Sequence, residues 1–292
     1  MAGSTLPLAE VTRRHNITFR KGLGQNLLLD ENINRIMVEA AALTPEDAVV
    51  EVGAGLGALT ARLAERAGKV LAVEIDPRFM PVLEERFAGV ENVVLFRGDV
   101  LNHDPDKLVE EFLGAPTRLK MVSNLPYYIT TPLLFHFWES PIFFERIVVM
   151  VQEEVGHRMT SAVNTHDYGV LALAARYYSD VDIVHHVPRT CFAPRPKVDS
   201  CIVRLRNRAP LPFPEVGHDF LFALIHAAFA KRRKTLRNTL VRTPPQGVSA
   251  EAAEAAFAAT GIDPSRRPQT LSLEDFAALA RAMMRHGGAT PQ

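Results

Sequence analysis

A short polar and aromatic stretch, Ser123-Asn124-Leu125-Pro126-Tyr127-Tyr128, carries residue types able to act on an aromatic amine. The side-chain oxygen of Asn124 can accept a hydrogen bond from an exocyclic amine, Pro126 stiffens the turn, and Tyr127 offers a flat face on which a base can stack. The stretch follows the apolar run Leu119 to Val122 and precedes a helical pattern from about Thr131. An apolar strand emptying into such a turn puts the amide and the ring at the carboxyl edge of a sheet, where open α/β folds bind ligands. On these six residues alone, a plain strand end with Asn124 satisfying local backbone and Tyr127 in the core fits equally well.

A second group of residues suits a nucleotide. Glu51-Val52-Gly53-Ala54-Gly55-Leu56-Gly57 closes a strand and opens a helix, and glycines there let the backbone come close to a ligand. Gly53, Gly55 and Ala58 also satisfy the dinucleotide pattern G-x-G-x-x-A, so the glycines do not name the cofactor. Glu74 ends the next strand, where a carboxylate can accept both ribose hydroxyls. Gly98-Asp99 follows the third strand, where a carboxylate can accept from an adenine amine, although Asp99 alone also fits a loop or cap residue. One acid per strand end suits an adenosine lying across the sheet edge, and S-adenosylmethionine meets that need without a pyrophosphate.

The elements that must position these residues alternate. Strands are expected at Val49 to Val52, Val70 to Glu74, Val93 to Phe96, Leu119 to Val122, Ile147 to Val151, Val181 to Val187 and Ser200 to Arg206. Helices are expected from Ala58, from Pro77, over Pro105 to Leu113, after Thr131, and over Glu153 to Val163 and Gly169 to Tyr178. Repeated βα units of this length imply a doubly wound α/β fold, a mostly parallel sheet with helices on both faces. Ahead of them Lys21-Gly22-Leu23-Gly24-Gln25-Asn26 reads as a donor-rich loop, and Asp30 as the cap of a helix over Glu31 to Ala42. The Pro-rich segment 209–214 reads as a linker. The expected division is therefore an arm over residues 1–20, the α/β domain over 21–208 and a smaller helical domain over 209–292. The arm is polar and basic without periodicity, and is expected to be mobile and suited to touching an anionic partner.

With 292 residues and 47% hydrophobic content the chain can bury a sizeable core. Thirty-three basic residues balance 33 acidic ones, so any nucleic acid must be met by a local basic patch. Lys231 to Arg242 is such a patch, with six basic residues and no acid. The run fits a solvated helix face or, more strongly, an RNA phosphate contact. Cys191 and Cys201 lack matching ligands for a zinc site and do not make a disulfide framework. Glu154 and His157 have a spacing used in carboxylate metal sites but lack the second copy such sites need, and His185-His186 reads as a half-exposed pair without a partner motif. No metal is expected. The start does not read as a signal peptide, and Met121 to Trp138 is broken by Asn124, Pro126 and Pro132, so a cytoplasmic protein without a membrane span is expected.

In this order the motifs resemble the KsgA/RsmA group of ribosomal RNA small-subunit adenine N6,N6-dimethyltransferases. The matching stretches are Gly24-Gln25-Asn26-Leu27-Leu28, Glu51 to Gly57, Glu74, Asp99, Asn124-Leu125-Pro126-Tyr127 and Gln152 to Val155. They continue through Phe192-x-Pro194-x-Pro196-Lys197-Val198-Asp199-Ser200 and Lys231 to Asn238. The resemblance implies a Rossmann-like methyltransferase fold in which Gln25, Asn26, Leu28, Gly53, Gly55, Glu74 and Asp99, with Asn124, hold S-adenosylmethionine. It implies that Asn124 and the Leu125 carbonyl receive the target amine and that Tyr127 and Phe192 sandwich a flipped adenine. It also implies action on two neighbouring adenosines of a 3′ hairpin of small-subunit RNA, a part in subunit assembly, and a monomer. Two departures stand out: Leu27 where the group more often has Phe, and Tyr128 where Asn or His is commoner.

Lys231, Arg232, Arg233, Lys234 and Arg237 are then the expected RNA contacts. Competing readings are a resistance-type methylase of large-subunit RNA, an RNA-binding assembly factor with secondary catalysis, and a nicotinamide-dependent oxidoreductase. The last leaves the Asn-Leu-Pro-Tyr stretch unexplained.

Overall fold

The strands form where β-branched and aliphatic runs lie between turn-forming residues. In chain order they are β1 (Leu27–Leu28), β2 (Ala48–Val52), β3 (Lys69–Glu74), β4 (Val93–Arg97), β5 (Leu119–Asn124), β6 (Arg146–Gln152), β7 (Ser179–Val187), β8 (Phe192–Ala193) and β9 (Ser200–Asn207). The computed structural model describes residues 13–15, 27–231 and 233–287. Gln25, Asn26 and Arg232, with most of the N-terminal arm, lie outside the described residues. Within the arm, Arg14 and His15 pair with Glu85 of this chain, at 2.7 and 2.9 Å.

Seven strands make one sheet in the order β4-β3-β2-β5-β6-β9-β7. β2 pairs in parallel with both β3 and β5, β3 with β4 and β5 with β6, while β9 runs antiparallel to β6. The chain winds outward from β2 through β3 and β4, then returns to the other side of β2 for β5. The order therefore reverses between β2 and β5, the crevice position at which open sheets bind ligands.

Helices α1 (Glu31–Ala41), α2 (Ala58–Ala64), α3 (Met80–Arg86), α4 (Pro105–Leu113) and α5 (Thr130–Trp138) connect the strands. Asp30 caps α1 by accepting from the Asn32 amide at 2.9 Å. Ile33, Met37, Ala40 and Ala41, at helical spacing, bury one face of α1 among Val49, Val70, Val122, Val148 and Ile202. Full burial of side chains such as Ile33 and Met37 stabilises by roughly 1.5 to 3 kcal/mol each, so this face fixes the layer of helix on sheet. Proline and aspartate shift one start: Asp76 accepts from the Arg78 amide at 3.0 Å, and the resulting turn delays α3 to Met80 rather than Pro77.

The chain divides into two compact units. One runs to Gly156 and takes in Asp180–Asn207, and the other holds His157–Ser179 and the chain from Arg208. The expected boundary at 208/209 had placed residues 157–179 with the α/β sheet; they are counted instead with the helical unit. There α7 (Val170–Tyr178) follows α6 (Glu153–Thr160), whose first four residues belong to the sheet unit. The helical unit continues with α8 (His218–Phe229), α9 (Ala250–Thr260) and α10 (Leu273–Gly287). Buried Tyr168 donates to the Leu271 carbonyl at 2.9 Å, a long-range tie within that unit. No helix among the described residues is long and apolar enough to cross a membrane.

Candidate active site

The sheet register brings the glycine turn and the amide stretch side by side. The Val52 amide donates to Ser123 Oγ at 2.9 Å, locking the end of β2 to the end of β5. Gly53 follows with φ 81°, and a side-chain carbon there would lie 3.3 Å from Pro126 Cδ, tighter than ordinary contact. The glycine thus serves two needs at once, a left-handed backbone and close approach of the Pro126 turn. Leu125 donates its amide to the Met150 carbonyl at 3.2 Å, which ties the same turn to β6.

A cleft of about 1160 Å³, open solvent included, lies over this edge. Of the residues singled out from sequence, it brings together Leu28, Gly53, Gly55, Glu74, Asp99, Asn124, Leu125, Tyr127 and Phe192. Lys231, Arg233, Lys234 and Arg237 belong to the helical unit.

Glu74 is buried, and each of its oxygens is held by backbone. Gly55 donates to Oε2 at 2.7 Å and Asp76 to Oε1 at 2.8 Å, so the carboxylate also fixes the glycine turn. Burial pushes its pKa up, partly offset by those amides. Asp99 is half-buried and caps the turn Val100–Asn102 through the Leu101 amide at 3.1 Å, while its other oxygen accepts from Asn102 at 3.3 Å. Asp99 is therefore both a cap and a cleft residue. Asn124 is half-buried, and its side-chain amide has no hydrogen-bond partner among the described residues. It is available to a ligand.

The two aromatic walls are held differently. Tyr127 is half-buried and its hydroxyl meets Ser200 Oγ at 2.9 Å; burial raises its pKa, with Asp199 adding to the shift. Phe192 is only 4% exposed and packs into the core with Val187 and Ile202, so it is a fixed wall rather than a free ring. Its backbone pairs with Leu28 in the small antiparallel sheet of β1 and β8, which joins two residues of the cleft lining. Tyr128, the departure noted above, is 52% exposed and also lines the cleft.

Several lining residues were not singled out. Glu51 is buried, accepts from Thr60 Oγ1 at 2.6 Å, and burial pushes its pKa up to about 8, with Glu74 adding to the shift. Ile75 and Val100 also line the cleft. The signal for these two was present: each follows a strand-end acid, an acid for the polar edge of a ligand beside an apolar side chain for its face. Glu74 and Asp99 make no ion pair with a described residue, which leaves their oxygens as acceptors for the donors of a ligand. Among the described residues no group of three metal-ligating side chains is found.

In the helical unit the basic run is less unbalanced than its sequence implies. Arg237 starts a π-helical turn, Arg237–Val241, and pairs with Glu254. Leu236 and Leu240 are buried, leaving Lys231, Arg233, Lys234 and Arg242 exposed and without an ion pair to a described residue.

Residues 16–283 match the family described as ribosomal RNA adenine dimethylase. A Pelotomaculum thermopropionicum protein named ribosomal RNA small subunit methyltransferase A is 46% identical over 99% of both chains. A Geobacillus thermodenitrificans protein of the same name is 42% identical over 94% of both. Among solved structures, a dimethyladenosine transferase from Plasmodium falciparum is similar with a TM-score of 0.76 and 26% identity, covering 89% of this chain and 98% of that one. A 23S rRNA methyltransferase, ErmE, gives 0.64 and 28%, covering 88% and 99%.

Proposed function

The chain belongs to the ribosomal RNA adenine dimethylase family, and on that premise we propose that it transfers methyl groups from S-adenosylmethionine to N6 of adenosines in small-subunit ribosomal RNA, giving N6,N6-dimethyladenosine. The observation that carries the reading is the meeting, in one cleft, of two strand-end acids with an Asn124 amide that no described residue engages and the Tyr127 ring. Bound S-adenosylmethionine supplies an electrophilic methyl group on a sulfonium. Gly53 and Gly55 give it backbone approach, Glu74 offers acceptors for its ribose, and Asp99 offers one for its adenine amine. Leu28, Ile75 and Val100 give apolar surface beside them. Gln25 and Asn26 are proposed to complete this side.

The target amine sets the chemistry. Its lone pair is delocalised into the adenine ring and is a poor nucleophile until acceptors on its N–H groups draw it toward tetrahedral geometry. Asn124 Oδ1 and the Leu125 carbonyl are the proposed acceptors, with Tyr127 and Phe192 fixing the plane of the base. Catalysis then rests on positioning and electrostatics, and requires no strong base in the cleft. A base that must enter such a cleft leaves its stack, which favours an irregular or single-stranded target such as a 3′-terminal hairpin with two adjacent adenosines.

Lys231, Arg233 and Lys234, exposed and without an ion pair to a described residue, are the proposed phosphate contacts, with Arg232 beside them in sequence and Arg237 shared with Glu254. We place the protein in the cytoplasm as a monomer acting on the small subunit or its precursor, with a part in subunit assembly. Single-turnover methylation of unmethylated small subunits tests the reading. Asn124→Ala should lose about two to three orders of magnitude in rate, with much smaller change in cofactor affinity. A normal rate in that variant would remove the amide from the mechanism. A parent that methylates large-subunit RNA instead would favour the activity named for ErmE.

A further inference from the structure

Two consecutive residues at the head of β9 reach both aromatic walls of the cleft. Ser200 has no exposed surface, and its hydroxyl meets the Tyr127 hydroxyl at 2.9 Å, 73 residues away in sequence. Its backbone is itself fixed, because Ser200 stands opposite Gln152 in the antiparallel pairing of β6 and β9. Asp199 Oδ1 accepts from the Arg189 amide at 2.9 Å, and the Asp199 carbonyl accepts from the Glu153 amide at 3.1 Å. Arg189 opens the turn Arg189–Cys191 that leads directly into Phe192, and its Nη1 donates to the Lys197 carbonyl at 2.9 Å.

We propose that Ser200 and Asp199 are positioning residues for methyl transfer, Ser200 fixing the swing of the Tyr127 ring and Asp199 fixing the turn that carries Phe192. The inference rests on reading Asn124 and Tyr127 as the base clamp. A ring used only for packing would do as well as phenylalanine and would avoid the desolvation of a buried hydroxyl. Here the hydroxyl has one buried partner, and that partner sits on β9, a strand paired along its length with β6. The Tyr127 ring is thereby tied at both ends, at its backbone by the Pro126 turn packed on Gly53 and at its far edge by Ser200.

This matters unequally to the two transfers. Adenosine offers two N–H groups to the Asn124 and Leu125 acceptors. N6-methyladenosine offers one. With half the hydrogen bonds gone, alignment of the second transfer depends more on the aromatic walls. A loosened ring should therefore slow the second methylation more than the first and let the monomethylated product accumulate.

The test is a time course of N6-methyl- and N6,N6-dimethyladenosine from unmethylated small ribosomal subunits with saturating S-adenosylmethionine. Ser200→Ala and Tyr127→Phe break the same bond from opposite ends. Each should slow the second transfer by about fivefold relative to the first, with cofactor KM unchanged, and the double variant should be no worse than either single one. Asp199→Ala should act in the same direction and add to Ser200→Ala, because it serves the other wall. A merely structural role would slow both transfers together and leave the product ratio at the parent's value, which would overturn the proposal. Additive effects of Ser200→Ala and Tyr127→Phe would overturn it as well, and an unchanged ratio in Asp199→Ala would remove that residue. A parent protein inactive on small subunits fails the underlying reading instead, so the two failures are distinguishable.

Discussion

The two edges of the central sheet treat charge in opposite ways. At the amino edge Lys120, 1% exposed, donates to Asp47 Oδ2 at 2.9 Å and to the Ala42 carbonyl at 2.8 Å. Arg118 lies 3.0 Å from the other Asp47 oxygen, and the Thr44 amide donates to the carboxylate at 2.7 Å. Burial alone would raise the Asp47 pKa, but Lys120 and Thr44 more than offset it and hold it low. At the carboxyl edge Glu51 and Glu74 are buried with no ion pair among the described residues, and burial raises both. At the first edge the chain's own cations neutralise the buried acid. The second keeps buried acids that pair with no cation among the described residues, Glu51 holding its proton up to about pH 8 and Glu74 accepting from backbone amides. Perturbed acids gathered in a cleft are the usual mark of a working site, whereas a satisfied buried pair serves the fold.

The sharpest way to break the contrast is at the satisfied edge. Lys120→Ala leaves Asp47 buried without its main partner and should cost about 3 to 5 kcal/mol of stability. Urea unfolding reads the loss, and calorimetry on the folded protein should find cofactor affinity unchanged. A stable variant with weakened cofactor binding would mean that the amino edge is part of the site.

The next effect is one of pH at the opposite edge. Glu51 has an ordinary value of 4.5 when unfolded and about 8 when folded. The folded state therefore holds a proton that the unfolded chain releases. Below about pH 4.5 the group costs nothing; its cost grows as pH rises and is complete above about pH 8, where it amounts to a few kcal/mol. Glu51→Gln keeps an acceptor for Thr60 and cannot ionise. The variant should gain stability on the parent steadily from pH 5 to 8.5. Parallel stability curves would mean that Glu51 ionises normally.

These contrasts were only partly legible in the chain. The strand-end acids could be read because each closes an apolar run at a turn, and Asp30 because a cap needs only its own neighbours. Lys120 lies inside the run Leu119 to Val122, which reads as apolar; its partners come from Ala42 and Asp47, brought near only by the parallel pairing of β2 and β5. The pairing of β1 with β8 spans two residues in each strand, too few to leave a pattern, and Ser200 gains meaning only across the sheet. The run from Lys231 has no acid within it, yet Glu254 from α9 pairs with Arg237. Local chemistry was visible, and partners distant in sequence were not.

The smallest effects separate the two strand-end acids from each other. In Glu74→Gln an amide must replace a carboxylate that accepts at both oxygens, from Gly55 and Asp76, so one backbone N–H would face an NH2 group. That should cost about 1 to 3 kcal/mol in cofactor binding, because the glycine turn loses its anchor along with the proposed ribose acceptor. Asp99→Asn is gentler. Its remaining oxygen can still accept from Leu101 and keep the cap, while the NH2 group replaces the oxygen that accepts only a long, exposed bond from Asn102 and that a bound adenine amine would use. Stability should hold, and cofactor affinity should fall by about tenfold or less, near 1 kcal/mol. Titration calorimetry at matched pH compares the two. If Asp99→Asn binds as tightly as the parent while Glu74→Gln does not, Asp99 serves the turn at Val100–Asn102 alone, and the adenine end of the cofactor must be read by backbone.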